Sequence, residues 1–496
     1  MKKVMKSAVV TLVILAVLTG VGIYFLMKDN GTSESLSERM KQEQSDLSSE
    51  RVYRYDLDDD CVVLKTNGDD KNVLNFNQNN VYEVATSDAA RGRLDRLIKR
   101  LDSGFDEPII ALNPFGTNPN SLYFYFKLAN RAMIRYTIAV ADDSTPVFVR
   151  YVNSGMENNL SEVHEFTLSG LIPGQTNYII IEAIDSTGAQ RERKVFKFDA
   201  PKVNAPLRLK TEQGNSREQI SNGLYVVMPT GTTDIYTYDN RGWLRNVTVT
   251  ESNHGTRFYQ SGNEVLYQVA ANKVAKVSAI GRVTGVAVVN GVTAIKDFAY
   301  DGYDNIYSLA TVKGRDCLLA TSFDSGQTKT VYQFKKGITA KSLSTPDAGT
   351  VLVAMASPAG LMKLNSIASM RTSVSYILGK KGDWKKFGYK KKLTEDVTVS
   401  RWDTANSYLV SDETKGNYSI YVQDQGTGTA LSFTIDEKEK KVSVTDTFPV
   451  AQKGNGRSEK EGEHYLISNG STGIFPNMTK KDALQRSFPM VELLTV

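Results

Sequence analysis

A strand-pair unit that recurs six times after Pro206 restricts this chain's fold more than any other sequence feature. Each unit opens with a short apolar strand, passes a polar turn, and continues into a second strand ending in a Gly- or Asp-containing turn. The openings are Gly223-Leu-Tyr-Val-Val, Asn263-Glu-Val-Leu-Tyr, Asp304-Asn-Ile-Tyr-Ser-Leu, Gly349-Thr-Val-Leu-Val, Asn406-Ser-Tyr-Leu-Val and Glu463-His-Tyr-Leu-Ile. Their spacings are 40, 41, 45, 57 and 57 residues (263−223, 304−263, 349−304, 406−349, 463−406). A period of this size with several strands per unit suits the blades of a β-propeller. The exposed faces of one blade are covered only by its neighbours, so the ring itself supplies the core. Six units predict six blades over residues 206–496, the last two matching less well.

Upstream, the apolar pattern has period two. Leu122, Phe124, Phe126 and Leu128 share one face of a predicted strand, and Ile134, Tyr136, Ile138 and Val140 share one face of the next. Further strands are expected at 165–168, 178–184 and 194–198, separated by turn residues such as Pro173-Gly174. Short strands at this spacing predict an Ig-like β-sandwich over 107–205. Before it, Leu94, Leu97, Ile98 and Leu101 recur at helical spacing. That short helix lies in a stretch expected to be a spacer, residues 29–106, whose part from 51 to 88 has no clear pattern.

The N-terminus adds a membrane expectation. Lys2, Lys3 and Lys6 precede an uncharged stretch from Ser7 to Met27, long enough to cross a bilayer as one helix. The lysines lie on its N-terminal side, so residues 1–28 are expected to form a cytoplasmic tip and a single-pass transmembrane anchor. The body should then lie outside the cell. A signal peptide cut near Gly22 is the alternative, although no clear small-x-small site follows. The fold class expected for the whole chain is all-β, a sandwich followed by a six-bladed propeller, with an N-terminal transmembrane helix.

Charge and cysteine content narrow the function classes. Sixty basic and 55 acidic residues leave a net charge of +5, with only short basic runs such as Lys390-Lys391-Lys392. A nucleic-acid partner has little support in that distribution. Cys61 and Cys317 are far apart and form no metal motif, and whether they pair is left open. No phosphate-cradling glycine loop or Ser-His-Asp arrangement stands out, and no cofactor is expected.

Three stretches carry a family resemblance. The first is Asn113-Pro114-Phe115-Gly116, placed before the strand that opens Ser121-Leu122-Tyr123. The second is His164-Glu165-Phe166, followed by Gly170-Leu171-Ile172-Pro173-Gly174. The third is Tyr376-Ile377-Leu378-Gly379, followed by Asp383-Trp384. From about Ala89 onward the chain resembles the arylsulfate sulfotransferases, with Tyr376 where that family has a tryptophan. The resemblance implies an exported enzyme moving a sulfuryl group from a phenolic sulfate ester to a phenol acceptor. A histidine would carry the group covalently, helped by further histidines and an arginine at the mouth of the central channel. Such a relay splits one difficult displacement into two easier ones, and cationic donors stabilise the charge that develops on oxygen.

Three histidines are present, His164, His254 and His464. By resemblance His254 occupies the first channel position, and it is the candidate catalytic residue. Arg257 and Arg401 are candidate substrate-binding residues near the inferred mouth. The family's other positions fall at Lys296-Asp297, where only the aspartate of a His-Asp pair is kept, and near Thr339, Ala356 and Arg401-Trp402. His164 and His464 read as structural. Most of the catalytic set is missing, so two functions are open: a divergent sulfotransferase, or an inactive surface-anchored propeller binding a ligand or protein. The expected partners are a phenolic sulfate ester or another small anionic or aromatic ligand, and the membrane through the N-terminal helix.

Overall fold

The computed structural model describes residues 61–66, 73–76, 78–142, 145–152, 160–209, 224–227, 233–239, 241–252, 258–261, 263–347, 349–369 and 371–389. It also describes the backbone at 407–410, 417–424, 429–436, 441–449, 465–466, 473–474 and 490–493. Among these residues, no helix is long and apolar enough to cross a membrane. The stretch from Ser7 to Met27 lies outside them.

The N-terminal unit holds strands β1 (Val62–Leu64), β2 (Leu74–Asn75), β3 (Ile109–Leu112), β4 (Leu122–Val140), β5 (Phe148–Tyr151), β6 (Ser161–Leu168), β7 (Thr176–Ile184) and β8 (Gln190–Asp199), with helix α1 (Val84–Arg100) between β2 and β3. Two of the predicted strands are one. β4 runs unbroken for 19 residues and serves two sheets. Its first half pairs with β3 and β6, and its second half pairs with β5 and β7. The register to β6 slips between Lys127 and Ala132, where the strand passes from one sheet to the other. Leu122, Phe124, Phe126, Ile134, Tyr136 and Ile138 nevertheless all face one core. The opposite face is also covered, since Tyr123 and Tyr125 pack with Ala90 and Leu94 of α1. β1 pairs in parallel with β8, and β2 with β3. The sandwich therefore takes in strands from the stretch expected to be a spacer.

Five four-stranded sheets follow. The second comprises Phe258–Ser261, Glu264–Ala270, Lys273–Ser278 and Val283–Val288. The third comprises Ile295–Tyr300, Asn305–Val312, Arg315–Ser322 and Thr328–Gln333, and the fourth Thr339–Asp347, Thr350–Ser357, Ala359–Asn365 and Ser373–Leu378. The fifth runs from Ser407–Val410 through Asn417–Asp424 and Thr429–Asp436 to Lys441–Pro449, and Tyr465–Leu466 then pairs with Gly473–Ile474. The first sheet is assembled from both ends of this region. Leu224–Val227, Asp234–Asp239 and Leu244–Val249 are joined by Met490–Leu493, which pairs antiparallel with Leu224–Val227. The last strand thus returns to the first sheet, closing a propeller-like succession of sheets. Apolar layers fill the spaces between neighbours, with Leu309, Leu318, Leu343, Val353 and Met362 in one cluster spanning the third and fourth.

The recurring pair read from sequence corresponds to the second and third strands of the first four sheets. In the fifth sheet it falls on the first and second strands instead. Helix α2 (Lys381–Lys385) lies between the fourth and fifth sheets, in one of the two long repeat spacings.

Both stretches that carried the sandwich resemblance prove to be docking surfaces for the propeller. The Thr117 hydroxyl donates to the Gly281 carbonyl (2.8 Å), and the Val249 amide donates to the Thr117 carbonyl (3.0 Å). Asn120 accepts from the Val247 amide (2.9 Å), and Ser121 donates to Asn246 (3.0 Å). Gly281 lies at φ +86°, and a Cβ there would come within 2.7 Å of the Thr117 hydroxyl. In the second stretch, the Gly170 amide donates to the Arg245 carbonyl (2.7 Å). A Cβ on Gly170 would run into the Phe148 ring at 2.3 Å. Only glycine fits at either position.

Candidate functional site

The candidate positions on the propeller share a topological address. The segment containing His254 and Arg257 leads into the first strand of the second sheet. Lys296 and Asp297 open the first strand of the third, Thr339 opens that of the fourth, and Arg401 precedes that of the fifth. Antiparallel pairing sets Thr339 opposite Ser357, beside Ala356 at the hairpin end of the next strand. The structure therefore gathers Lys296, Asp297, Thr339 and Ala356 at one end of adjoining sheets. His254, Arg257, Arg401 and His464 lie outside the described residues.

The gathered groups are tied to one another and to backbone. The Lys296 ammonium meets Asp316 Oδ2 at 2.6 Å and donates to the Ala340 carbonyl at 3.3 Å. Asp316 also accepts from the Ala340 amide (2.8 Å) and the Thr311 hydroxyl (2.7 Å). Asp297 is buried, accepting from the Leu343 amide at 2.7 Å through one oxygen and from the Phe298 amide at 2.9 Å through the other. Two carboxylates thus stitch the third sheet to the fourth. Each already accepts hydrogen bonds that a catalytic base would have to give up. Thr339 is exposed, whereas Ala340 and Leu343 are buried in the intersheet core. Of the gathered candidate positions, what faces a ligand is the half-exposed Lys296 ammonium, already paired with Asp316, and the exposed Thr339 hydroxyl. Sequence reasoning did not find Asp316. It stands two strands away from Lys296, and no local spacing links the two.

The fourth sheet is closed at the same end by the third resemblance stretch. Trp384 of α2 is fully buried, and its indole N–H donates to the Ala359 carbonyl (3.2 Å). Cβ atoms on Gly360 and Gly379 would lie 3.0 and 2.7 Å from the indole nitrogen. The Leu-Gly…Trp pattern is therefore a packing device in this chain.

His164 lies on β6 in the sandwich, buried against Phe126 with ring centroids 5.3 Å apart. Burial pulls its pKa down to about 4, opposed only in part by a hydrogen bond to the Ser161 backbone. The folded imidazole is then neutral at neutral pH. Between about pH 4 and 6.5 the unfolded chain binds the extra proton, so stability rises with pH through that window and is lost as pH falls through it. The expected loss is up to about 3 kcal/mol. Thermal unfolding of the sandwich from pH 7 down to pH 4 should show it, and His164→Phe should flatten that slope. An unchanged slope in the variant would remove His164 as its source.

A cleft of about 390 Å³ opens between the sandwich and the first two sheets, lined by Tyr136, Arg150, Glu165, Asn246, Phe258 and Tyr267 among others. Tyr82 bridges the same interface, donating to the Val249 carbonyl and lying 3.0 Å from the Tyr267 hydroxyl. Burial raises the pKa of both phenols, so they stay protonated as hydrogen-bonding groups. Arg282, in the turn before the last strand of the second sheet, pairs with Asp88 of α1 (2.7 Å).

Comparison with known proteins adds a domain-level match. Residues 109–201 match the arylsulfotransferase Ig-like domain. No curated protein matches the chain in sequence. Similar solved structures include an auxiliary nutrient binding protein from Bacteroides ovatus (10% identity, TM-score 0.32, covering 66% of this chain and 82% of that one). An oligogalacturonate lyase from Vibrio parahaemolyticus shows 8% identity and a TM-score of 0.31, covering 51% and 66% respectively. A protein from Lactobacillus plantarum shows 13% identity and a TM-score of 0.31, covering 64% and 96%.

Proposed function

Given that the chain carries the Ig-like domain of the arylsulfotransferases at residues 109–201, we propose that it is a ligand-binding descendant of those enzymes. In this reading the ring has six blades: the five four-stranded sheets, and a sixth containing Tyr465–Leu466 and Gly473–Ile474. Residues 7–27 anchor it in the cell membrane, with the body outside. The ligand is a phenolic sulfate ester or another small anionic or aromatic molecule, held at the end of the ring where the first strands begin. The mature chain should then start at residue 1, and protease added to intact cells should digest the propeller. A soluble product starting near residue 23 would refute the anchor.

One observation carries the choice of binding over transfer. At the position where the family has its His-Asp pair, the two carboxylates nearest the opening are committed to Lys296 and to backbone amides. Thr339 and Ala356 stand at two further positions and supply no imidazole. A covalent relay needs a nucleophile with a base beside it. Losing such elements lowers the rate by several powers of ten, since each supplies about 3 kcal/mol or more. Lys296, half-exposed although paired with Asp316, is the cation of the gathered set that an anionic group could meet.

The test is turnover of a chromogenic aryl sulfate with a phenol acceptor, beside calorimetric binding of the same ester, in wild type, His254→Ala and Lys296→Ala. Trace or no turnover, with binding weakened by Lys296→Ala, is expected. Robust turnover abolished by His254→Ala would restore the enzyme reading and make His254 the nucleophile.

A further inference from the structure

Two segments of the described surface concentrate positive charge. The turn 335–338 and the stretch 380–389 containing α2 hold Lys335, Lys336, Lys380, Lys381, Lys385 and Lys386 against one carboxylate, Asp383. Their balance is 6−1 = +5, equal to the net charge of the whole chain, 60−55 = +5. The rest of the chain is therefore neutral in sum. In sequence the run continues into Lys390, Lys391 and Lys392.

The two segments form one rigid surface. The Lys335 ammonium donates to the Phe387 carbonyl at 2.6 Å and sits 4.6 Å from the Tyr389 ring centre. The Tyr332 and Tyr389 hydroxyls are 3.0 Å apart, and Trp384 beneath α2 is fully buried. Lys336, Lys380, Lys385 and Lys386 are exposed around this frame. The turn at 335–338 runs directly into Thr339, so the lysines flank the end of the ring where the candidate positions gather. Like charges held together repel, and a fold retains such a collar at some expense in stability.

We propose that this lysine rim docks a polyanionic chain of the polyphosphate or sulfated-polymer type. The side-chain types distinguish it from other anions. A small anion recognised specifically would be met by an arginine fork or by buried donors, whereas exposed lysines are point charges suited to a line of charges. An interfacial helix that inserts into a lipid surface would carry outward-facing apolar anchors beside its lysines. Here Trp384 and Tyr389 are buried beneath the lysines. The proposal concerns a surface outside the small-ligand site and does not depend on it.

The experiment uses the full chain in neutral detergent, with fluorescent long-chain polyphosphate and, separately, dextran sulfate as probes. Binding to either supports the proposal, and the tighter of the two tells phosphate from sulfate as the preferred charge carrier. Wild-type affinity should fall by about two to three powers of ten between about 50 and 200 mM salt. Replacing Lys336, Lys380, Lys385 and Lys386 together by glutamine should lower the slope of log K against log salt by about 3. Lys335 is kept because it holds the Phe387 carbonyl. The control variant carries the same change in charge at the exposed Lys65, Lys99, Lys202 and Lys329, and it should bind like wild type. Equal loss in that control, no wild-type binding at the lowest salt, or binding only to phosphatidylglycerol vesicles would overturn the proposal. Because His254→Ala leaves the rim intact, polymer binding in that variant should be unchanged, which separates this result from the outcome at the channel.

Discussion

Asp239→Ala should lower stability by about 3–5 kcal/mol and loosen the sandwich from the propeller. Asp239 and Arg245 are both buried, with Arg245 1% exposed, and the guanidinium meets the carboxylate at 2.7 Å. Arg245 also donates to the carbonyls of Gly170 (3.3 Å) and Pro146 (2.9 Å) in the sandwich, and lies 4.8 Å from the Phe148 ring centre. Burial pulls the guanidinium pKa down, and Asp239 opposes that pull. Truncating the aspartate leaves a buried cation without its counter-charge at the domain joint. It also removes the acceptor for the Arg241 and Trp243 amides, both 2.9 Å away. Removing both charges together is a different case. Asp239→Ala with Arg245→Met should recover much of the loss, because no unpaired charge then stays buried. Calorimetry on the three variants, with limited proteolysis near the domain joint, provides the measurement. A loss under about 1 kcal/mol in the single variant, or no recovery in the double, would show that the pair does not hold the joint.

Trp384→Ala should have a comparable effect on the fourth sheet. The indole is fully buried, makes an edge contact with Tyr389 at 6.1 Å and bonds the Ala359 carbonyl. Truncating a buried tryptophan costs about 3–5 kcal/mol in lost contacts and cavity. Gly360→Ala tests the same packing from the other side, since its Cβ would lie 2.4 Å from the Leu378 carbonyl oxygen. Both changes should lower the denaturant midpoint, and Trp384→Phe should fall between wild type and Trp384→Ala. A midpoint within experimental error of wild type for Trp384→Ala would mean that the site collapses without penalty.

The site was only partly legible in advance. Lys296, Asp297 and Thr339 could be singled out because each stands near a strand start, and Ala356 because it stands near a strand end, where the resemblance could be laid over the chain. Their partners could not. Asp297 bonds the Leu343 amide and Asp316 bonds the Ala340 amide, and a backbone amide has no residue-type signature. The roles of the resemblance stretches were also hidden. Thr117, Asn120, Ser121 and Gly170 read as parts of a strand-turn pattern. Their contacts with the Gly281 carbonyl, the Val247 amide, Asn246 and the Arg245 carbonyl exist only once the sandwich is docked.

By itself the sequence determined what depends on neighbours along the chain. Strand after strand alternates with period two, glycines and aspartates punctuate the turns, and the central hairpins recur because both their faces are buried and must be apolar. The first and outermost strands were harder to see. Thr339–Asp347, for example, has polar residues at most positions because its backbone pairing and intersheet bonds define it. Tertiary structure alone decided how distant pieces meet. Met490–Leu493 pairs with Leu224–Val227 although almost the whole propeller lies between them in sequence. β4 passes between two sheets without a break, and the carboxylates near the ring opening became stitches between sheets. Local periodicity fixes the direction in which a side chain points. Which partner it meets across hundreds of residues is set by closure of the ring, where each blade can cover its apolar faces only with its neighbours.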